Sequence, residues 1–289
     1  MGTLTKQEFE ALVNIESKAS CEFSKEIIND LLNKGYICKT DTVYITDEGI
    51  LALEPYRVKR VVIMAAGFGK RMVPVTLTTP KPLVKVNGKR IIDTIMEAVN
   101  NAGIEEVWLV RGYLWEKFDE LLTDYPNIKF ILNEHYNEAN NISSALLAGE
   151  YLSNAYVLEA DLVINNPSVI RKYEYETNYI GRYCEHTDDW CFKVSDGIIK
   201  ELLVVGDDVY HMYGISYWTY EDGIKLFDCI KKTYEMENGK EKYWDEVSMR
   251  VFKDEFSISV RPCYDNDIIE IDTFEELVEF DPSYRNYEA

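Results

Sequence analysis

The first part of the chain shows the spacing of a small helical unit that includes a β-hairpin. Apolar residues recur at helical intervals in three stretches, and Thr5 followed by Glu8 predicts a capping box at the first helix. Two short alternating runs joined by a polar turn predict the hairpin. The predicted elements are helices over 6–15, 24–32 and 47–53, and strands over 36–39 and 43–46.

From residue 59 the pattern changes to continuous apolar runs separated by helical stretches. Continuous runs are typical of parallel strands buried on both faces, and their alternation with helices predicts a mostly parallel, Rossmann-like α/β sheet. Between 179 and 218 short β-like runs follow one another without helices, which predicts a partly antiparallel extension. We therefore predict two domains, 1–57 and 58–289. The parallel part is expected to contain strands at 60–66, 106–110, 128–132 and 155–159, with helices at 91–101, 115–122 and 143–152.

The composition and charge of the chain exclude several classes of protein. Apolar residues make up 46% and charged residues 28%, as in an ordinary folded protein. The 51 acidic and 31 basic residues give a net charge of -20, which argues against a protein that coats nucleic acid. The six cysteines are scattered without a CxxC pair, so free thiols and a cytoplasmic location are expected. No apolar run is long enough for a membrane span, and no zinc-site spacing or GxSxG motif occurs.

The N-terminal unit resembles a winged helix-turn-helix domain in the order of "NKGYI" and "YITDEG". DNA-binding members of that class usually carry a basic recognition helix. Here the corresponding helix has one lysine against Glu26 and Asp30, and residues 1–58 are acidic overall. A docking, dimerising or vestigial role is therefore favoured over sequence-specific DNA binding, and a homodimer is left open.

A glycine-rich segment directly follows the first strand of the second domain. Two glycines let the backbone turn and point its N–H groups inward, as phosphate-binding loops do. Lys70 and Arg71 add positive charge where a triphosphate would lie. The segment is neither a P-loop nor a complete Rossmann fingerprint. The candidate nucleotide-binding residues are Ala65, Ala66, Gly67, Phe68, Gly69 and Lys70.

Two predicted strands end in aspartate, at Asp161 and Asp272. Ligands of open α/β sheets bind at the carboxyl ends of the strands, and two carboxylates there suit Mg²⁺. We expect these two residues to hold the metal. An alternative interpretation makes Asp272 a helix N-cap, with Glu275 closing a capping box.

Aromatic clusters beside carboxylates indicate a binding site for a small cationic molecule. Tryptophan and tyrosine faces attract a quaternary ammonium by cation–π interaction. A primary ammonium would instead call for carboxylates, and the sequence offers both. The candidate residues for binding this cation are Trp190, Trp218, Tyr243, Trp244, Asp245 and Glu270, and packing in the core is the alternative interpretation for each tryptophan.

The segments "MAAGFGKRM" and "TTPKPLVKVNGKRII" together resemble the signature of nucleotidyltransferases that make NDP-sugars and CDP-alcohols. Over about residues 59–278 the chain resembles, more closely, the bacterial CTP:phosphocholine cytidylyltransferases of the LicC type. The resemblance implies that Lys81 reaches the phosphates, that Asn140 and Asn141 lie beside the nucleotide, and that Asp161 and Asp272 bind the metal.

The reaction implied by this resemblance joins CTP and phosphocholine to give CDP-choline and pyrophosphate. Attack would be in line and Mg²⁺-dependent, with Arg71, Lys81 and Asp161 as the catalytic residues. Phosphoethanolamine, 2-aminoethylphosphonate or a sugar phosphate remain alternative acceptors. A different class, a transcription regulator that senses a nucleotide or choline, is the other alternative.

Overall fold

The computed structural model of the chain describes residues 3–19 and 23–287, which form two compact units. Within the described residues, no helix combines the length and the apolar character needed to cross a membrane. The five cysteines of this part are free, and Cys21 lies outside it.

The first unit comprises the chain up to Val58 together with residues 172–175. Its helices bury Leu12 and Leu31 completely, and Tyr173 from the distant segment is 1% exposed in the same core. The capping box between Thr5 and Glu8 is confirmed. The elements are α1 (Lys6–Glu16), α2 (Lys25–Asn33), β1 (Ile37–Lys39), β2 (Val43–Ile45) and α3 (Asp47–Leu53).

These elements follow the predicted order, and their assignment to the winged-helix class stays a prediction. The segment 172–175 was not expected in this unit. It is tied in by the backbone: Val58 N–H donates to the Lys172 carbonyl at 3.0 Å, and Glu174 N–H donates to the Tyr56 carbonyl at 2.9 Å.

The second unit is built on a sheet that has nine strands in the described part of the chain. Its strands are β3 (Arg60–Ala65), β6 (Glu106–Arg111), β7 (Ile128–Leu132), β8 (Ala155–Glu159), β10 (Asn178–Thr187), β11 (Cys191–Ser195), β12 (Ile198–Leu203), β13 (Gly206–Trp218) and β14 (Ser259–Pro262). Two short ribbons lie outside it, formed by β4 (Lys85–Val86) with β5 (Lys89–Arg90) and by β9 (Leu162–Ile164) with β15 (Ile268–Glu270).

The sheet order is β10-β14-β12-β11-β13-β8-β3-β6-β7. Pairs within β8-β3-β6-β7 are parallel, while β13 joins β8 in antiparallel register. The strands from β10 to β14 pair mostly antiparallel, and β10 also pairs with β13. The predicted mostly parallel α/β sheet with a partly antiparallel extension is therefore confirmed.

The helices of this unit bury the sheet as its apolar pattern requires. Val62 and Met64 of β3 share a core with Ala145 and with Ile230. The helices are α4 (Ile91–Asn101), α5 (Leu121–Asp124), α6 (Ile142–Ala148), α7 (Tyr220–Tyr234), α8 (Trp244–Glu246) and α9 (Phe274–Phe280). The helices predicted at 115–122 and 143–152 are partly 3₁₀, over Trp115–Glu120 and Gly149–Leu152.

Candidate active site

The glycine-rich loop begins where β3 ends, at the carboxyl edge of the parallel strands. Gly69 has a φ of +67°, in the left-handed region that favours glycine, and its carbonyl accepts a hydrogen bond from the Thr76 hydroxyl at 2.9 Å. A Cβ at Gly69 would lie 3.4 Å from the Cβ of Lys81. At Gly67 a Cβ would meet nothing within 4 Å. The turn thus packs against the lysine segment while its first glycine leaves the backbone open to a ligand.

A two-stranded ribbon brings the two strand-end aspartates together. Asp161 lies between β8 and β9, and Asp272 follows β15 by two residues. In the ribbon Glu270 pairs with Leu162. The Ile271 N–H donates to the Asp161 carbonyl at 3.3 Å. The antiparallel register therefore places residues that are more than a hundred positions apart on one edge of the site.

The helix-cap interpretation of Asp272 is wrong. The N-cap of α9 is Thr273, whose side chain accepts from Glu276 N–H at 3.1 Å, and Glu276 closes the capping box in place of Glu275. The Glu276 carboxylate also accepts from the Asp272 N–H at 2.7 Å. The capping role lies one residue further along, which leaves the Asp272 carboxylate for the site.

Lys81 connects the two aspartates. Its Nζ lies 2.9 Å from Asp161 Oδ2 and 2.7 Å from Asp272 Oδ1, and Arg71 Nη2 lies 2.8 Å from Asp272 Oδ2. Burial lowers the pKa of Lys81, but the charges of Asp161 and Asp272 outweigh it, so the pKa lies above its ordinary value. Lys81 is therefore held as a cation. Arg71 is 68% exposed, so its guanidinium faces solvent at the mouth of the site.

Three carboxylates of this edge could hold a divalent cation. Oxygens of Asp161, Glu270 and Asp272 lie within 4.8 Å of one another. Oδ1 of Asp161 is buried without a hydrogen-bond partner in the described structure, so one ligand oxygen is free for a metal. Burial and the charges of Asp161 and Asp272 raise the pKa of Glu270 well above its ordinary value. A hard cation would relieve that repulsion, and the donor set fits Mg²⁺. The sequence placed Glu270 with the acceptor, and this residue also lines the second cavity described below.

Two adjoining cavities meet at these residues. The first, about 290 Å³, is lined by the loop and by Lys81. The second, about 450 Å³, is lined by Trp190 and Tyr243 on its far side. Both include Asp161 and Asp272 in their walls. A nucleotide triphosphate in the first and an acceptor in the second would therefore meet at the carboxylates.

The four predicted acceptor aromatics separate into two pairs. Trp190 and Tyr243 line the second cavity, and their ring centroids lie 5.5 Å apart at an interplanar angle of 66°. Trp218 and Trp244 are 0% and 1% exposed and pack on Tyr179 in the core of the sheet. The prediction that they face the acceptor differs from the structure, because β13 and α8 bury these rings between the sheet and its helices.

Glu159 is a site residue that sequence reasoning missed. Its carboxylate lines both cavities and accepts from Asn141 Nδ2 at 3.2 Å and from Trp244 Nε1 at 3.3 Å. A Cβ on Gly214 would lie 2.4 Å from Glu159 Cγ, so glycine at that position makes room for this side chain. Burial, then the charges of Asp161 and Asp245, raise the pKa of Glu159 well above its ordinary value. Its position two residues before Asp161 is the signal that could have identified it.

Asp245 lines the second cavity, as the sequence suggested for an acceptor residue. It accepts a hydrogen bond from the Tyr179 hydroxyl at 2.7 Å. Burial raises its pKa to about 7. Asp189, which belongs to the predicted aromatic cluster but had no assigned role, lines the same cavity and accepts from Trp190 N–H at 2.7 Å.

Some of the remaining predicted nucleotide-binding residues line the cavities, and others pack elsewhere. Ala65 and Lys70 line the first cavity. Ala66 is buried, and the Phe68 ring packs on Tyr113 with a centroid distance of 4.3 Å. Asn141 lines the second cavity beside Glu159. The Asn140 side chain is used internally: Nδ2 donates to the Glu241 carbonyl at 3.1 Å, and Oδ1 accepts from Asn141 N–H at 2.7 Å.

Comparison with known proteins agrees with this geometry. Residues 60–181 match the model of the nucleotidyl transferase family. A 2-aminoethylphosphonate cytidylyltransferase of Lancefieldella rimae is 37% identical over 227 residues, covering 77% of this chain and 92% of that protein. A choline-phosphate cytidylyltransferase of Streptococcus pneumoniae is 30% identical over 229 residues, covering 78% and 99%.

A solved structure of a cytidylyltransferase has a similar fold. The CTP:phosphocholine cytidylyltransferase LicC from Streptococcus pneumoniae superposes with a TM-score of 0.72 at 30% identity, over 79% of this chain and 100% of that one. The chain belongs to the nucleotidyl transferase family. Within it, the full-length similarity to these enzymes makes it a cytidylyltransferase.

Proposed function

We propose that the chain transfers the cytidylyl group of CTP to a small phosphonate or phosphate that carries a primary amine, with 2-aminoethylphosphonate as the first candidate. The observation that carries this choice is the wall of the second cavity, where Glu159, Asp189 and Asp245 supply carboxylates outside the metal cluster and only two of the four predicted rings take part. Full-length similarity to a 2-aminoethylphosphonate cytidylyltransferase supports it.

The chemistry of the two ammonium types explains this preference. A primary ammonium donates three hydrogen bonds and needs oxygen acceptors, whereas a trimethylammonium has no N–H and is bound by ring faces. Glu159 and Asp245 are buried acids with raised pKa, and the charge of an acceptor ammonium would favour their ionised forms. Three carboxylates thus fit a primary ammonium better than a quaternary one.

The proposed reaction needs positioning and charge neutralisation. An oxygen of the acceptor phosphonate attacks the α-phosphorus of CTP in line, a P–O bond forms, and the bond to pyrophosphate breaks. The acceptor oxygen is already anionic, so no general base is required. The loop N–H groups, Lys81 and Arg71 would hold the triphosphate and neutralise its growing charge. Mg²⁺ held by Asp161, Glu270 and Asp272 would add Lewis-acid stabilisation of the phosphate oxygens.

Phosphocholine, the acceptor predicted from the sequence, is the second candidate. Trp190 and Tyr243 offer two rings at the cavity wall, and two choline-phosphate cytidylyltransferases are among the similar proteins. Discrimination between the candidates therefore rests on the balance between carboxylates and ring faces.

The test is pyrophosphate release with CTP and Mg²⁺, with 2-aminoethylphosphonate, phosphoethanolamine, phosphocholine and glucose 1-phosphate offered in parallel. The proposal expects the highest kcat/KM with 2-aminoethylphosphonate. A preference for phosphocholine would favour the second candidate. No release with any of the four would contradict both.

A matched pair of variants locates the ammonium. Asp189→Asn should raise the KM for the primary-amine acceptor about three- to tenfold while leaving the KM for CTP unchanged, because a charge-assisted hydrogen bond is lost at a partly solvated position. Asp188→Asn is the control, since Asp188 is the neighbouring aspartate, is bonded to His186 and does not line this cavity. Equal effects of the two variants would refute this role of Asp189.

A further inference from the structure

Trp190 carries a cation from the protein itself on its ring. The guanidinium carbon of Arg250 lies 4.9 Å from the centroid of the indole. Tyr243 packs on the same indole at a steep angle. One wall of the acceptor cavity is therefore an aromatic ring that already has a cationic partner.

The Arg250 guanidinium is fixed by bonds that are independent of any ligand. Its Nε and Nη2 donate to the Leu202 carbonyl at 3.3 and 3.0 Å, and Nη1 donates to Glu246 Oε1 at 2.9 Å. Arg250 belongs to a π-helical turn, Val247–Val251, that continues α8. π-turns are rare and concentrate at functional sites.

Glu246 links Arg250 to the other ring of the wall. Its Oε2 accepts from the Tyr243 N–H at 3.0 Å while Oε1 binds Arg250, and its side chain is 9% exposed. The same carboxylate thus sets both neighbours of Trp190. The arrangement is a preformed support for the indole rather than a chance surface contact.

From these contacts we infer that Arg250 is a positioning and specificity residue: it holds Trp190 and takes up cation–π attraction that a quaternary ammonium would otherwise use. A ring with a cation at one face attracts a second cation less, because both draw on the same quadrupole. A primary ammonium is affected less, since its binding depends on carboxylates. Arg250 therefore biases the acceptor site toward primary amines.

This inference rests on the proposed function, and its test separates the two. The acceptors are phosphoethanolamine and phosphocholine, which carry the same phosphate and differ only in three methyl groups on nitrogen. The comparison is therefore informative whether or not the phosphonate is the preferred acceptor of the unmodified enzyme.

The variant is Arg250→Met, which keeps most of the side-chain length and removes the charge. The ratio of kcat/KM for phosphocholine to that for phosphoethanolamine should rise about three- to tenfold, with an unchanged KM for CTP. Arg250→Lys, which keeps a cation but loses the planar fork, should give a smaller rise. Lys253→Met, at an exposed position three residues on, is the control and should leave the ratio unchanged.

A purely structural role predicts a different result. If Arg250 only packs against Trp190, Arg250→Met would lower kcat/KM for both acceptors by the same factor and leave their ratio constant. An unchanged or decreased ratio in a variant that unfolds at the wild-type urea midpoint would overturn the inference. If Arg250→Met lowers that midpoint, the ratio is measured on Arg250→Gln, which removes the charge and keeps hydrogen-bond donors, and a constant ratio there has the same meaning.

Discussion

Replacement of Lys81 by methionine should separate the catalytic use of this residue from its effect on the metal site. Lys81 Nζ lies 2.9 Å from Asp161 and 2.7 Å from Asp272, and its side chain is 12% exposed. At an effective dielectric of about 20, each contact has a gross Coulomb energy of about 6 kcal/mol, which the burial of the charges offsets in large part. Removal of one partner of a buried ion pair costs about 3–5 kcal/mol.

Replacement of Lys81 should change both turnover and the response of stability to Mg²⁺. Turnover should fall at least about 100-fold, since one preorganised donor to a developing charge contributes about 10²–10³ in rate. Stability in metal-free buffer should also fall, but Mg²⁺ should restore it more in Lys81→Met than in the wild type. The reason is that the carboxylates of Asp161 and Asp272 then have no lysine to share with the metal.

The assays are pyrophosphate release and urea unfolding with and without Mg²⁺. Lys85→Met is the matched control, because Lys85 is an exposed lysine four residues along the chain. Turnover of Lys81→Met within threefold of the wild type would refute its role in the reaction. Equal stabilisation of variant and wild type by Mg²⁺ would show that lysine and metal do not share these carboxylates.

Two further predictions concern the second cavity. Burial raises the pKa of Asp245 from 3.8 to about 7. Between about pH 4 and 7 the folded protein therefore keeps a proton that the unfolded chain has released. The free energy of unfolding of the wild type falls as the pH rises through that window. Asp245→Asn should therefore gain stability relative to the wild type from pH 5 to pH 8, measured as urea midpoints; a pH-independent difference would contradict this. Gly214→Ala should cost about 1–3 kcal/mol in urea unfolding and raise the acceptor KM, because its Cβ would lie 2.4 Å from Glu159 Cγ; wild-type values of both would show that the strand yields.

The parts of the fold that the sequence predicted are those with local patterns. The strand ending at Glu159 and the short helix beginning at Asp47 have the predicted bounds, because apolar runs and turn residues mark both. The parallel sheet followed from alternation of strands and helices. The segment 172–175 could not be assigned to the N-terminal unit, since no local pattern records a pairing across more than a hundred residues.

The site residues that the sequence predicted correctly are likewise those marked by a local motif. Lys81, Asp161 and Asp272 could be named because each ends or follows a strong motif, and the structure brings both aspartates within hydrogen-bond distance of Lys81. Trp218 and Trp244 were misplaced because residue type alone does not tell which face of an element is buried. Arg250 was missed because the Leu202 carbonyl and the Trp190 ring, which fix its position at the cavity wall, lie in distant parts of the chain.

The position of residues 172–175 in the chain determines when the core of the N-terminal unit can be completed during synthesis. The N-terminal unit leaves the ribosome first, yet the buried Tyr173 of its core is encoded 115 residues after Val58. At 5–20 residues per second, roughly ten seconds of synthesis separate the two. During that interval the core of the N-terminal unit lacks the Tyr173 ring. The core of the N-terminal unit is thus completed only after the strand that leads to Asp161 has been synthesised.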